Sequence, residues 1–77
     1  MIMVTVKQAE QFGLLIRQER KAQKLTQEEL AAISGVGVRF LRELELGKES
    51  CQLGRALRVL DTLGLEWSIG QRGGAAP

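Results

Sequence analysis

The sequence contains no histidine and no tyrosine, one cysteine (Cys51) and one proline (Pro77). Each scarcity removes a class of chemistry. Without histidine there is no Ser-His or Cys-His nucleophilic pair. One cysteine without histidine makes neither a zinc set nor an internal disulfide, so no metal or cofactor is expected. Such cysteine usage suits a reducing compartment, and a cytoplasmic protein is expected. No apolar run approaches the roughly 18 residues of a membrane span. Met1 to Val6 is too short for a signal peptide and lacks its basic start. With no internal proline, nothing in the body of the chain blocks helix formation.

What is present suits one small globular domain. The chain has 77 residues, 44% of them hydrophobic, enough for one modest core and not for two. A core of that size is marginal alone, so a partner subunit is expected. The net charge is +2, a weak pointer to polyanions. Its distribution is more informative. Residues 1–24 carry five basic side chains against two acidic ones; residues 25–50 carry three against five; residues 51–77 carry three against two. There is no polybasic tract, so any nucleic-acid binding must come from positioned side chains.

The pattern predicts helices. Thr5 and Gln8 have capping-box spacing, and Phe12, Ile16 and Arg20 with Leu15 mark one face of a helix over about 6–23. Thr26 and Glu29 form a second capping box, with Leu25 and Leu30 placed as a hydrophobic staple, predicting a helix from Gln27 to about Ser34 that ends at Gly35. After Val36 and Gly37, a third helix is predicted over Val38 to Leu46, with Leu41 and Leu44 inward and Gly47 past its end. Two short helices across a tight glycine turn are a helix-turn-helix unit. Leu53, Leu57, Leu60 and Leu63 mark a fourth helix over about 52–63, closed by Gly64. Leu65, Trp67 and Ile69 alternate with Glu66, Ser68 and Gly70, the period of a strand. Gly73 to Pro77 reads as a disordered tail, leaving one domain over 1–72.

From Leu25 to Lys48 the chain reads Leu-Thr-Gln-Glu-Glu-Leu-Ala, Ser-Gly-Val-Gly, then Arg-Phe-Leu-x-Glu-Leu-Glu-x-Gly-Lys. This resembles the helix-turn-helix of phage-repressor and Xre-type regulators over about residues 12–65. Together with the Leu-Gly-Leu helix end and the apolar alternation after it, it resembles more narrowly the antitoxin of HipA/HipB-type toxin–antitoxin pairs. The fold expected is all-α, a four- to five-helix lambda-repressor-like DNA-binding domain with a short C-terminal strand that can pair across a dimer.

The resemblance implies roles for individual residues. It pairs Arg20 with Glu45 in a semi-buried salt bridge between the first and third helices, where the residues alone also allow two surface charges. It places Gln27 on a DNA phosphate, a role that a helix N-terminus with free N–H groups favours independently; the plainer reading is a polar surface residue. The third helix would enter the major groove with Val38, Arg39 and Glu43 toward the bases and Arg42 and Lys48 near phosphates. Arg39 can grip guanine O6 and N7; Val38 can touch a thymine methyl. Glu43 either accepts from cytosine N4 or holds Arg39, four residues earlier. Phe40 either packs over the second helix or stays exposed, and Leu46 stands where the family usually has a polar residue. Leu65, Trp67 and Ile69 either form an intermolecular two-stranded sheet at a twofold axis or fold back over their own helices, with Trp67 as a core plug. Cys51 has no neighbouring base or metal partner to activate it.

Three functions fit these observations. One is a sequence-specific repressor that autoregulates its operon on double-stranded operator DNA as a homodimer and, by resemblance alone, restrains a HipA-like kinase toxin. A second is a stand-alone repressor of phage or restriction–modification type. A third is a protein–protein adaptor that has lost DNA binding, for which the acidic excess of residues 25–50 is the main support. An enzyme is not expected.

Overall fold

The computed structural model describes residues 5–70. Four helices follow one another: α1 (Ala9–Ala22), α2 (Gln27–Ser34), α3 (Val38–Glu45) and α4 (Leu53–Leu63). The last two residues of the expected 1–72 domain and the expected tail at 73–77 lie outside the described residues.

The start of α1 differs from the sequence expectation. Its capping interaction is Gln8 with Gln11, where Gln11 Oε1 accepts from the backbone N–H of Lys7 (2.7 Å) and of Gln8 (3.2 Å). A helix begun at Thr5 would add residues 6–8, which are exposed here, so no packing would offset the entropy of ordering them. At α2 the expected box is present: Thr26 Oγ1 accepts from the Glu29 N–H (3.0 Å) and Glu29 Oε1 from the Thr26 N–H (2.9 Å). Leu30 is fully buried and Leu25 packs half-buried against the core.

All four helices close in the same way. Past each one, a residue with positive φ is flanked by two backbone hydrogen bonds of the Schellman type: Lys24 to Lys21 and Leu25 to Arg20; Gly35 to Ala32 and Val36 to Ala31; Gly47 to Leu44 and Lys48 to Glu43; Gly64 to Asp61 and Leu65 to Leu60. Three of the left-handed residues are glycine; the fourth is Lys24, with φ +59°. The residue that follows is apolar and packed on the core at Leu25, Val36 and Leu65. After α3 it is Lys48.

α1 and α2 both pack across α3 and α4. Ile16, Leu30, Leu41 and Val59 are fully buried, one from each helix, and meet in a single cluster. At Gly13 the backbones of α1 and α3 come into direct contact: a Cβ there would lie 2.7 Å from the Glu45 carbonyl oxygen and closer still to that of Leu44. Gly47 approaches the first turn of α1, where a Cβ would sit 2.7 Å from Glu10 Cα. These two close approaches seat the C-terminal end of α3 against α1. The Gln23 side chain donates to the Leu63 carbonyl (2.7 Å), tying the end of α1 to the end of α4.

The expected C-terminal strand is not formed. Residues 65–70 carry no strand, and none occurs among the described residues. A strand exists only as half of a hydrogen-bonded ladder, and the four helices offer no edge to pair with. Leu65 instead completes the close of α4. Trp67 is half exposed and Ile69 is 89% exposed, so Trp67 is not a core plug.

Candidate nucleic-acid interface

The turn between α2 and α3 spans only Gly35–Gly37. It leaves the α3 surface facing outward beside the α2 N-terminus. Leu41 and Leu44 fill the inner face of α3, which directs Arg39 and Arg42 to the exposed side; Val38 is half-buried at its first position. The Arg39 side chain is 89% exposed. Arg42 makes no hydrogen bond or ion pair through its side chain among the described residues.

Glu43 stands between two basic residues. Its Oε1 takes Arg39 Nε at 3.3 Å and its Oε2 takes Lys48 Nζ at 2.8 Å. The Lys48 ammonium, above all, holds this carboxyl below the usual glutamate range. Lys48 occupies the place that an apolar residue takes after the other three helices, and there its side chain meets Glu43, the residue whose carbonyl its own N–H bonds.

Behind this face lies a buried charge network. Arg20 Nε donates to Glu45 Oε2 (2.7 Å) and Nη2 to Oε1 (3.0 Å), a bidentate pair with both side chains almost wholly buried. Arg20 Nη1 donates to the Leu25 carbonyl (2.9 Å). The hydrogen bonds to Glu45 raise the arginine pKa against the opposing pull of burial. Removing one partner of such a pair typically costs about 3–5 kcal/mol, because the other charge stays buried without a counterpart. Gln27 joins the network: its Nε2 donates to Glu45 Oε1 (3.2 Å). One amide hydrogen is thereby committed and the other is not.

Phe40 packs half-buried against the core, with the Arg55 guanidinium 6.0 Å from its ring centroid. Leu46, at the end of α3, is 74% exposed. The structure thus gathers Gln27, Val38, Arg39, Arg42, Glu43 and Lys48 around one two-helix unit, with Arg20 and Glu45 beneath it; Leu65, Trp67 and Ile69 lie beyond α4. Gly13 was missed in the sequence, and Gly47 was read there only as a helix stop; together they seat α3 on α1. A glycine within the amphipathic pattern of α1 was the available signal for the first.

Two short helices across a three-residue turn, the second exposed and braced from behind, define a helix-turn-helix protein. Residues 16–69 match the HTH_3 helix-turn-helix family. The chain belongs to that family and is an Xre-type helix-turn-helix transcriptional regulator. It is 49% identical over 64 residues to the uncharacterized HTH-type transcriptional regulator y4mF of Sinorhizobium fredii, covering 83% of this chain and 84% of that one. A chain in the structure of a HipA-HipB-O2-O3 complex superposes with a TM-score of 0.82 at 18% identity, covering 91% of this chain and 99% of that one; at that identity the likeness is one of fold. The restriction-modification controller protein C.AhdI from Aeromonas hydrophila superposes with a TM-score of 0.69 at 31% identity, over 75% of this chain and 88% of its own.

Proposed function

We propose that the protein is a sequence-specific DNA-binding repressor that acts as a HipB-like antitoxin, autoregulating its operon and restraining a HipA-like kinase encoded beside it. The observation that carries the DNA-binding part is the exposed α3 face, with Arg39 and Arg42 outward, Lys48 at its end and Gln27 at the neighbouring helix start. In this reading Arg39 reads guanine and Val38 touches a thymine methyl. Gln27 uses its uncommitted amide hydrogen, and Arg42 and Lys48 their charges, to hold phosphates. The acidic excess of residues 25–50 does not oppose this reading. Glu45 is buried against Arg20, Glu29 caps α2, and Glu43 is paired with two cations.

The antitoxin part draws support from the fold likeness to a chain solved together with HipA. A homodimer in the cytoplasm completes the proposal. Leu65, Trp67 and Ile69 alternate along a segment with no ladder partner among the described residues, and a second copy would satisfy both backbones and cover Ile69. Truncation before Leu65 is expected to shift the protein to monomer by sedimentation; an unchanged mass discards this contact.

A stand-alone repressor is the second reading, favoured by the 31% identity to a restriction-modification controller protein. Tagged protein purified from its native host at moderate salt tests the two. A stoichiometric kinase-like partner from the adjacent gene supports the antitoxin reading, whereas a DNA-bound protein without such a partner supports the stand-alone repressor. Loss of DNA affinity by orders of magnitude between about 50 and 200 mM salt supports phosphate contacts, and absence of any DNA binding supports an adaptor. Arg39→Ala is expected to cost roughly 1–3 kcal/mol at the preferred site and to relax base preference there.

A further inference from the structure

We propose that Glu43 is a specificity-determining residue, a built-in substitute for a phosphate that opposes binding to unmatched DNA while aiming Arg39 at its base. The inference rests on the DNA-binding reading above. Glu43 accepts from Arg39 through one carboxylate oxygen and from Lys48 through the other, at 3.3 and 2.8 Å. Of the three cations on this face, two therefore already carry a counter-charge, and Arg42 has none among the described residues.

The geometry separates two kinds of duplex. Glu43 engages Arg39 through Nε, which leaves both terminal nitrogens of the guanidinium free in one plane. That end-on fork fits guanine O6 and N7, so a matched site is read without displacing the carboxylate from Nε. Unmatched DNA offers phosphates only. There the carboxylate lies close to the backbone that Lys48 and Arg39 would approach, and their attraction is partly cancelled before contact.

The placement of Lys48 supports this role. After α1, α2 and α4 the corresponding residue packs on the core; after α3 it leaves the core and pairs with Glu43 across the helix end. The helix end is closed as firmly as the others, by the same pair of backbone hydrogen bonds. The ion pair is thus surplus to ending the helix, and its effect falls on the face that meets DNA.

The test compares wild type with Glu43→Gln on two duplexes: one enriched from a random pool by wild type, and one of mixed sequence. Glu49→Gln serves as the charge control, since Glu49 is exposed and makes no hydrogen bond or ion pair among the described residues. Glu43→Gln is expected to bind the mixed duplex about three- to fivefold more tightly, with a salt slope steeper by about one, while affinity for the enriched duplex does not rise in proportion. Glu49→Gln is expected to do neither. An equal gain for Glu49→Gln overturns the proposal, because bulk charge then explains the effect. So does a loss confined to the enriched duplex, which would make Glu43 a base reader. If wild type and both variants bind no duplex at all, DNA binding itself fails, an outcome separate from either of those.

Discussion

An alanine at position 13 would favour an isolated α1 by about 1 kcal/mol over glycine. In the folded protein its methyl would be driven into the Leu44 and Glu45 carbonyls, which are backbone atoms and cannot swing aside. Packing therefore outweighs propensity, and Gly13→Ala is expected to destabilise by roughly 1–3 kcal/mol in urea denaturation. A gain in stability would show that α1 and α3 can separate at no cost. The residue scale is also where reading the chain alone stopped soonest. Arg20 stands out in the sequence as a charge on an apolar face, but that its partner also holds Gln27 is visible only in three dimensions. Glu43 offered two roles, a cytosine contact implied by the resemblance and a hold on Arg39 from its spacing, and its pairing with Lys48 appears only where the chain turns back past Gly47.

At the scale of the element, helix ends were more legible than helix starts. Gly35, Gly47 and Gly64 each mark a left-handed close, because glycine alone takes that backbone without penalty. Lys24 closes α1 in the same conformation, and no lysine signals this in a sequence. A non-glycine residue there carries a strain of about 1 kcal/mol. Lys24→Gly is accordingly expected to raise stability by roughly 0.5–1 kcal/mol, read as a higher Tm with helix content unchanged; a lower Tm would mean that the lysine side chain stabilises the turn. The start of α2 adds a pH dependence. The backbone N–H of Thr26, then its hydroxyl, hold the Glu29 carboxyl below its ordinary value. Its contribution is complete above the ordinary glutamate range and is lost as pH falls through the lowered folded value. Glu29→Gln should therefore lose less stability than wild type between pH 7 and about pH 3; identical acid profiles would remove the capping box from that account.

For the molecule as a whole, the order and number of helices were legible because periodicity, capping boxes and terminal glycines agreed with one another. The strand was not, because alternation describes a side-chain pattern while a strand requires a neighbour, and no neighbour lies in the chain's own described fold. What the helices share is brevity of connection: the links span residues 23–26, 35–37 and 46–52. Closing such small loops costs little chain entropy, and each tight turn holds consecutive helices near their final contact. The eight-residue α2 and α3 are too short to persist alone, so they form as they dock. Refolding of the single chain should then be a single exponential faster than about 10 ms, and a second phase that slows with dilution would be the subunit association of the proposed homodimer. A regulator assembled this way regains its reading head almost as soon as it is lost, so its time of response is set by encounter with its targets and not by its own folding.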